Sequence, residues 1–231
     1  MPIDEGLIDA VRATLAGQAD PRRADDQQRY MKSAMPYRGL TAAVLRTALR
    51  DLFAARPITD RATWVATVRA LWDGAMFREE RYAAIALVRR PTHRTWATQR
   101  AVVPLLRHMI VTGAWWDYVD ELATRCVGPV LAAHPQESTL MRTWAVDENM
   151  WLRRTAILVQ LHFASDTDRH LLLDCIEPNL ADREFFIRKA IGWALRQFAR
   201  TDPAWVTAAV TDWGDQLSPL SRREALKHVA S

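Results

Sequence analysis

Apolar residues recur three and four positions apart along most of this chain, with polar and charged residues between them. That spacing places the apolar side chains on one face of an α-helix and predicts helix almost throughout. Only 8 glycines interrupt the pattern, and the strong helix formers alanine, leucine and arginine are abundant. Turn dipeptides flanked by alternating apolar and polar residues are missing, so no β-sheet is predicted. The chain therefore predicts an all-α fold of about a dozen helices.

Clusters of proline, glycine, serine and aspartate divide this pattern into segments of ordinary helix length. The predicted breaks lie at 19–22, 56–59, 90–93, 128–129, 134–138, 165–168 and 218–219. Short breaks between helices favour neighbours that pack against each other.

A weak internal repeat accompanies these helices. Four similar stretches are RYAAIAL at 81–87, RRTAIL at 153–158, RKAIGWAL at 188–195 and RREALKHV at 222–229. Their apolar anchors Ile85, Ile157, Ile191 and Leu226 are 72, 34 and 35 residues apart, and the long gap leaves room for a further unit near 116–122. A helical period of this length is typical of stacked helix pairs. We expect a superhelical solenoid, formed by residues 1–231 as a single domain, with the recurrent basic residues aligned on a concave face.

The basic residues are strongly biased toward arginine. Of the 31 basic residues only Lys32, Lys189 and Lys227 are lysine, and 27 acidic residues reduce the net charge to +4. The arginine fork suits phosphate oxygens, which favours a nucleic-acid partner. Codon usage can produce the same bias, so composition alone leaves both interpretations open.

Other features restrict the class of protein. No apolar run approaches the roughly 18 residues of a membrane span, and charges interrupt the first segment where a signal peptide would be apolar. Cys126 and Cys175 stand alone, and the histidines lack metal-ligand spacing. We therefore expect a cytoplasmic protein without a membrane segment, a disulfide, a metal or a cofactor.

The unusual residues concentrate at 113–121, 144–161 and 184–200. In the first of these segments Trp116 and Asp120 are four residues apart, so they share one helical face and pair a carboxylate with a large aromatic ring. This pairing is a candidate site. The alternative is that Trp116 belongs to the core and Asp120 is a solvated surface charge.

These segments carry a family resemblance. Motifs in the matching order are RYMK at 29–32, LWD at 71–73, WWDYVD at 115–120, WLRRTAILVQL at 151–161, EFFIRKAIGWALR at 184–196 and PLSRREALKH at 219–228. Together they cover nearly the whole chain and resemble the DNA alkylation repair family of the AlkD type. The resemblance implies HEAT-like helix-pair repeats in a C-shaped solenoid around duplex DNA.

The resemblance also implies roles for individual residues. Asp120 matches the catalytic carboxylate of the family, and Trp116 and Trp193 match two aromatic walls that face the deoxyribose. Arg154 matches an arginine that holds backbone phosphate near the lesion, and Tyr30 resembles a tyrosine bordering the same site. Their retention predicts an active enzyme.

A basic face for DNA is expected on the same helices. Its candidate phosphate ligands are Arg153, Arg188, Lys189, Arg196, Arg222, Arg223 and Lys227. For each of them the alternative is an ordinary solvated surface charge.

The implied activity is excision of positively charged N3- and N7-alkylated purines, such as 3-methyladenine and 7-methylguanine, from double-stranded DNA, without flipping the base into a pocket. Because the three lysines lie outside the matched pocket positions, a monofunctional glycosylase without a lyase step is expected. We expect a monomer that associates with the bacterial nucleoid through DNA. Two alternatives are a catalytically silent protein that binds unusual DNA structures and a helical scaffold for protein partners.

Overall fold

The computed structural model describes residues 2–229, and every regular element in that range is helical. The all-α prediction is confirmed. The chain divides into two compact units, Met1–Ala97 and Thr98–Ser231, referred to below as unit 1 and unit 2.

Unit 1 is formed by helices of ordinary length joined by short breaks. Its helices are α1 (Glu5–Ala16), α2 (Pro21–Met31), α3 (Ala42–Ala55), α4 (Arg61–Asp73), α5 (Arg78–Val88) and the short α6 (Arg94–Ala97). Helices α1, α3, α4 and α5 pack against one another and completely bury Val11, Leu15, Trp64 and Leu71. The apolar face that the sequence pattern predicts is therefore the core of this unit.

The segment 33–41 has no regular structure, although no break is predicted there from the sequence. The buried carboxylate of Glu79, at the start of α5, holds it by accepting hydrogen bonds from the backbone N–H groups of Arg38, Gly39 and Leu40. Gly39 has φ +88°, and a Cβ atom there would lie 2.1 Å from the carbonyl oxygen of Asp20. Only glycine fits this close approach.

Unit 2 is a stack of helix pairs. Its helices are α7 (Val103–Gly113), α8 (Trp116–Leu122), α9 (Gly128–Ala133), α10 (Ser138–Ala145), α11 (Met150–Leu158), α12 (Arg169–Ile176), α13 (Phe185–Phe198), α14 (Pro203–Trp213) and α15 (Pro219–Ala225). Helices α8, α11, α13 and α15 contact one another in succession and are called the front row. Helices α10 and α12 pack behind α11, and α14 packs behind α13 and α15.

This arrangement confirms the helical repeat predicted for the second part of the chain. The anchors Ile157 and Ile191 occupy equivalent buried positions on α11 and α13, each 1% exposed. The unit that the sequence predicted near 116–122 is α8. The front row therefore carries the candidate site residues of unit 2 except Lys227, which lies in the turn after α15.

The predicted break at 128–129 is wrong. Between α8 and α9 the segment Ala123–Val127 is a π-helix, and the helical backbone continues through Gly128 and Pro129. Proline lacks a backbone N–H and crowds the carbonyl one turn earlier in an α-helix. The wider π turn accommodates Pro129 without ending the helix.

The contact between α13 and α15 is close because Gly192 lies at its centre. A Cβ atom at Gly192 would lie 2.6 Å from the Glu224 Cβ and 3.0 Å from the Ser221 carbonyl oxygen. The Ser221 hydroxyl donates a 2.8 Å hydrogen bond to the Arg188 carbonyl. The absence of a side chain at Gly192 thus lets the backbone of α13 approach the Glu224 side chain of α15 closely.

Within the described residues, none of the helices combines the length and the apolar character needed to cross a membrane. Cys126 and Cys175 are both buried.

Candidate functional site

Helix α8 presents the candidate carboxylate and its neighbouring aromatic ring. The chain turns at Ala114, which has φ +42° at the end of α7, and α8 then begins at Trp116. Trp116 is half-buried, and the Asp120 side chain one turn later is 15% exposed. Asp120 is therefore no fully solvated surface charge, which was the alternative from the sequence.

Asp120 forms a two-point ion pair with Arg154 of α11. Arg154 Nε donates to Asp120 Oδ1 over 2.7 Å, and Arg154 Nη2 donates to Asp120 Oδ2 over 2.8 Å. The Arg154 side chain is only 5% exposed. Parallel N–H···O bonds of this kind fix the orientation of both groups. The structure thus brings together two residues that are 34 positions apart in sequence.

A third hydrogen bond and an aromatic cluster hold Arg154 from behind. Its Nη1 donates to the backbone carbonyl of Phe186, at the start of α13. The Phe186 ring packs against Trp115 and Trp151, with ring centroids 5.5 and 5.2 Å away. Three of the five N–H groups of the guanidinium are therefore bonded inside the protein.

The environment of Asp120 alters its protonation. Burial raises the pKa of this carboxyl, the hydrogen bonds and charge of Arg154 oppose that rise, and Asp117 adds to it. A desolvated carboxylate attracts a nearby positive charge more strongly than a solvated one. When ionised, Asp120 can therefore attract a positive charge that comes close to it.

Trp193 lies on α13, the next helix of the front row, and is half-buried. Two basic residues flank it on the same helix, Lys189 one turn before and Arg196 one turn after. Both form ion pairs with Glu224 of α15, Lys189 over 3.1 Å and Arg196 over 2.7 Å. These cations are thus partly neutralised by a carboxylate that the sequence analysis did not single out.

The other candidate phosphate ligands differ in their contacts within the protein and in their exposure to solvent. Arg153 donates to the Asp147 and Glu148 carbonyls and pairs with Asp182 over 3.0 Å, so it ties together the loops before α11 and α13. Arg222 donates to the Gly214 carbonyl. Arg188 is half-buried, whereas Arg223 and Lys227 are exposed. Their DNA contacts stay predictions.

Tyr30 lies in unit 1, near the end of α2, and its side chain projects into solvent with 78% exposure. Lys32 follows the last residue of α2 and has a left-handed φ of +48°. A role for Tyr30 beside the site in unit 2 stays a prediction.

Comparison with known proteins identifies the family of this chain. A sequence profile described as "DNA alkylation repair enzyme" matches residues 11–229, which is almost the entire chain. The chain belongs to the DNA alkylation repair enzyme family. No match was found among curated proteins.

A solved structure supports the family assignment. It is described as "Predicted DNA alkylation repair enzyme from Enterococcus faecalis" and is 30% identical to this chain, with a TM-score of 0.83. The similarity covers 93% of this chain and 98% of the other. The fold described above is therefore that of a DNA alkylation repair enzyme over nearly its whole length.

Among the described residues of this family member, no group of three or more histidine, cysteine, aspartate or glutamate side chains could hold a metal ion. The carboxylate of the site is instead paired with an arginine.

Sequence reasoning missed two parts of the site. Trp115 and Trp151 were not among the candidate site residues, yet they pack on Phe186 behind Arg154. Glu224 was overlooked inside RREALK. It lies three residues after Ser221, which bonds to α13, so the two share a helix face, but only the folded structure shows which cations Glu224 meets.

Proposed function

We propose that this chain is a monofunctional DNA glycosylase that removes N3- and N7-alkylated purines from duplex DNA by hydrolysing the N-glycosidic bond. The observation that carries the proposal is the buried two-point ion pair between Asp120 and Arg154 on the front row of a DNA alkylation repair enzyme fold. A carboxylate that is largely desolvated and fixed in orientation supports a catalytic role for Asp120.

The substrate chemistry fits a site with one carboxylate and no general acid. An N3- or N7-alkylated purine already carries a positive charge, so it leaves as a neutral base when its bond to the sugar breaks. The deoxyribose that remains has oxocarbenium character, and a carboxylate and the faces of aromatic rings stabilise such a cation. In this proposal Asp120 faces the sugar cation and orients the attacking water, and Trp116 and Trp193 contact the sugar.

Arg154 has two tasks in this scheme. Its two bonds to Asp120 keep the carboxylate oriented before the substrate arrives, so no reorganisation is needed as the bond breaks. Its two unused N–H groups are proposed to bind a phosphate beside the lesion. The exposed Arg223 and Lys227 and the tyrosine Tyr30 are proposed as further DNA contacts.

The proposed approach through sugar and phosphate implies a particular selectivity. Because the protein contacts the backbone rather than enclosing an extruded base, discrimination depends on how weak the glycosidic bond of the lesion already is. Cationic adducts, including bulky ones, are therefore substrates, and uncharged lesions such as uracil are not.

The test is release of 7-methylguanine and 3-methyladenine from methylated duplex DNA under single-turnover conditions. Asp120→Asn should slow release about a hundredfold, equivalent to about 3 kcal/mol of transition-state stabilisation, and should still bind duplex. The control is Asp174→Asn, which removes a carboxylate from an ion pair with Arg142 on α10 and α12, behind the front row. Near wild-type release by Asp120→Asn would contradict the proposal.

Two further outcomes are informative. Tight duplex binding without any release by the unmodified protein would assign it to DNA recognition without catalysis. Efficient release of uracil would contradict the proposed dependence on a cationic base.

A further inference from the structure

The residue of interest is Glu224 on α15, which lies against the helix that carries Trp193. Because Gly192 has no side chain, α15 comes so close that a Cβ at Gly192 would clash with Glu224. The Glu224 side chain is 16% exposed, and the hydroxyl of Ser221 fixes the same helix to α13. The carboxylate is thus built into the front row beside a proposed catalytic residue.

Three basic side chains surround this one carboxylate. Lys189 Nζ lies 3.1 Å from Oε1, and Arg196 Nη1 lies 2.7 Å from Oε2. Lys189, hydrogen-bonded to it, lowers the pKa of Glu224, and the charges of Arg196 and Lys227 act in the same direction. The carboxylate is therefore ionised at neutral pH and is shared by cations that flank Trp193.

We infer that Glu224 competes with DNA phosphates for Lys189 and Arg196 and thereby limits binding to undamaged duplex. The inference rests on the proposed function, since it takes the front row as the DNA-binding face. A phosphate can use these two cations fully only if they leave the carboxylate, and the carboxylate itself repels the phosphate.

The competition separates recognition of the lesion from affinity for ordinary duplex. Phosphate contacts carry no sequence or damage information, so each one strengthens binding to every site on DNA equally. An enzyme that must find rare lesions gains from leaving intact DNA quickly. Holding two cations on an internal carboxylate lowers that general affinity, while Asp120 and its aromatic neighbours are unaffected.

The experiment measures the affinity of the full chain for an undamaged duplex at several salt concentrations. Glu224→Gln keeps the size and an acceptor oxygen but removes the charge. We expect it to bind about eightfold more tightly at about 0.1 M salt, because one added phosphate contact contributes a slope of about 0.9 in log affinity against log salt. The slope of log affinity against log salt should steepen by about 0.9. Glu224→Ala should also raise the affinity and steepen this slope.

The matched control is Asp212→Asn, which removes one carboxylate from an exposed position on α14, behind the front row. This variant changes the net charge by the same amount as Glu224→Gln. It should alter duplex affinity by less than half as much as Glu224→Gln does. Thermal unfolding followed by circular dichroism verifies that each variant is folded.

Unchanged or weaker duplex binding by folded Glu224→Gln would overturn the inference. Failure of both Glu224 variants to fold would do so too, because it would assign the residue a purely structural role. If Asp212→Asn raised duplex affinity as much as Glu224→Gln, the increase would be explained by net charge alone. This result would also overturn the inference. Failure of the proposed function is distinguishable, since the unmodified protein would then not bind duplex or would bind it without releasing alkylated bases.

Discussion

Replacement of Arg154 by methionine tests how the carboxylate of the site is held. The substitution removes the guanidinium and its three hydrogen bonds but keeps an unbranched side chain among Trp115, Trp151 and Phe186. Because Asp120 is 15% exposed and Arg154 5% exposed, a largely desolvated carboxylate would lose the arginine that pairs with it. Breaking a buried pair in this way costs about 3–5 kcal/mol. For a chain of this length the melting temperature should fall by roughly 6–20 °C.

Arg154→Met also changes the pKa of Asp120, in a direction that follows from the effects of burial and of Arg154 on this carboxyl. Burial raises the pKa of Asp120 and Arg154 opposes that rise, so Arg154→Met raises the pKa further. The folded state then holds a proton that the unfolded state releases, and the loss of stability is largest above the raised pKa. It diminishes as the pH falls through that value, because the protonated carboxyl is neutral.

The rate of base release should depend on the position and the protonation of the Asp120 carboxylate. At neutral pH we expect Arg154→Met to release 7-methylguanine about a hundredfold more slowly, since an unfixed carboxylate is misplaced by the order of 1 Å. Raising the pH should recover part of this loss, and the acid limb of the rate profile should move to higher pH. If the unused N–H groups of Arg154 bind phosphate, the salt slope of duplex affinity should become shallower by about 1.

The matched control is Arg142→Met, which breaks an ion pair of the same length, 2.7 Å, between half-exposed side chains on α10 and α12. Exposed pairs contribute less than about 1 kcal/mol. The reasoning is refuted if Arg154→Met is no less stable than this control, or if its pH profile for base release is that of the unmodified protein.

Two predictions concern the packing of unit 2. Gly192→Ala should destabilise the chain by about 1–3 kcal/mol in denaturant titration and reduce base release, because a Cβ 2.6 Å from Glu224 forces α13 and α15 apart. Gly17→Ala, whose added Cβ meets no atom within 3.4 Å, should be close to neutral. Burial raises the pKa of the Cys175 thiol to about 12, with Asp174 adding to the rise. An aromatic disulfide reagent at pH 8 should therefore label Cys175 only after unfolding, and rapid labelling of the folded protein would contradict its burial.

The helices were predictable because their signal is local. Apolar spacing reports on a face within one turn or two, and the capping aspartates Asp20, Asp60 and Asp202 precede helices α2, α4 and α14. The segment 33–41 was not predictable in this way. Its order depends on Glu79, which is about forty residues away in sequence.

The site was predictable only in part. The spacing of Trp116 and Asp120 determines that they share a face of α8, but the pairing of Asp120 with Arg154 depends on how α8 and α11 pack. Arg153 and Arg154 are neighbours in sequence, yet a helix turns by about 100° per residue, so one joins loops and the other reaches the carboxylate. Only the family resemblance distinguished these two arginines before the fold was described.

The carboxylate of Glu79 should protect amides of the irregular segment 33–41 from exchange as strongly as a helix protects its own. Amide protons in solvent-facing loops normally exchange with water through small local fluctuations. The amides of Arg38, Gly39 and Leu40 are instead bonded to a side chain at the start of α5, which is 1% exposed. We therefore expect these amides to exchange only when α5 itself opens, as members of the same cooperative unfolding unit as the core of unit 1.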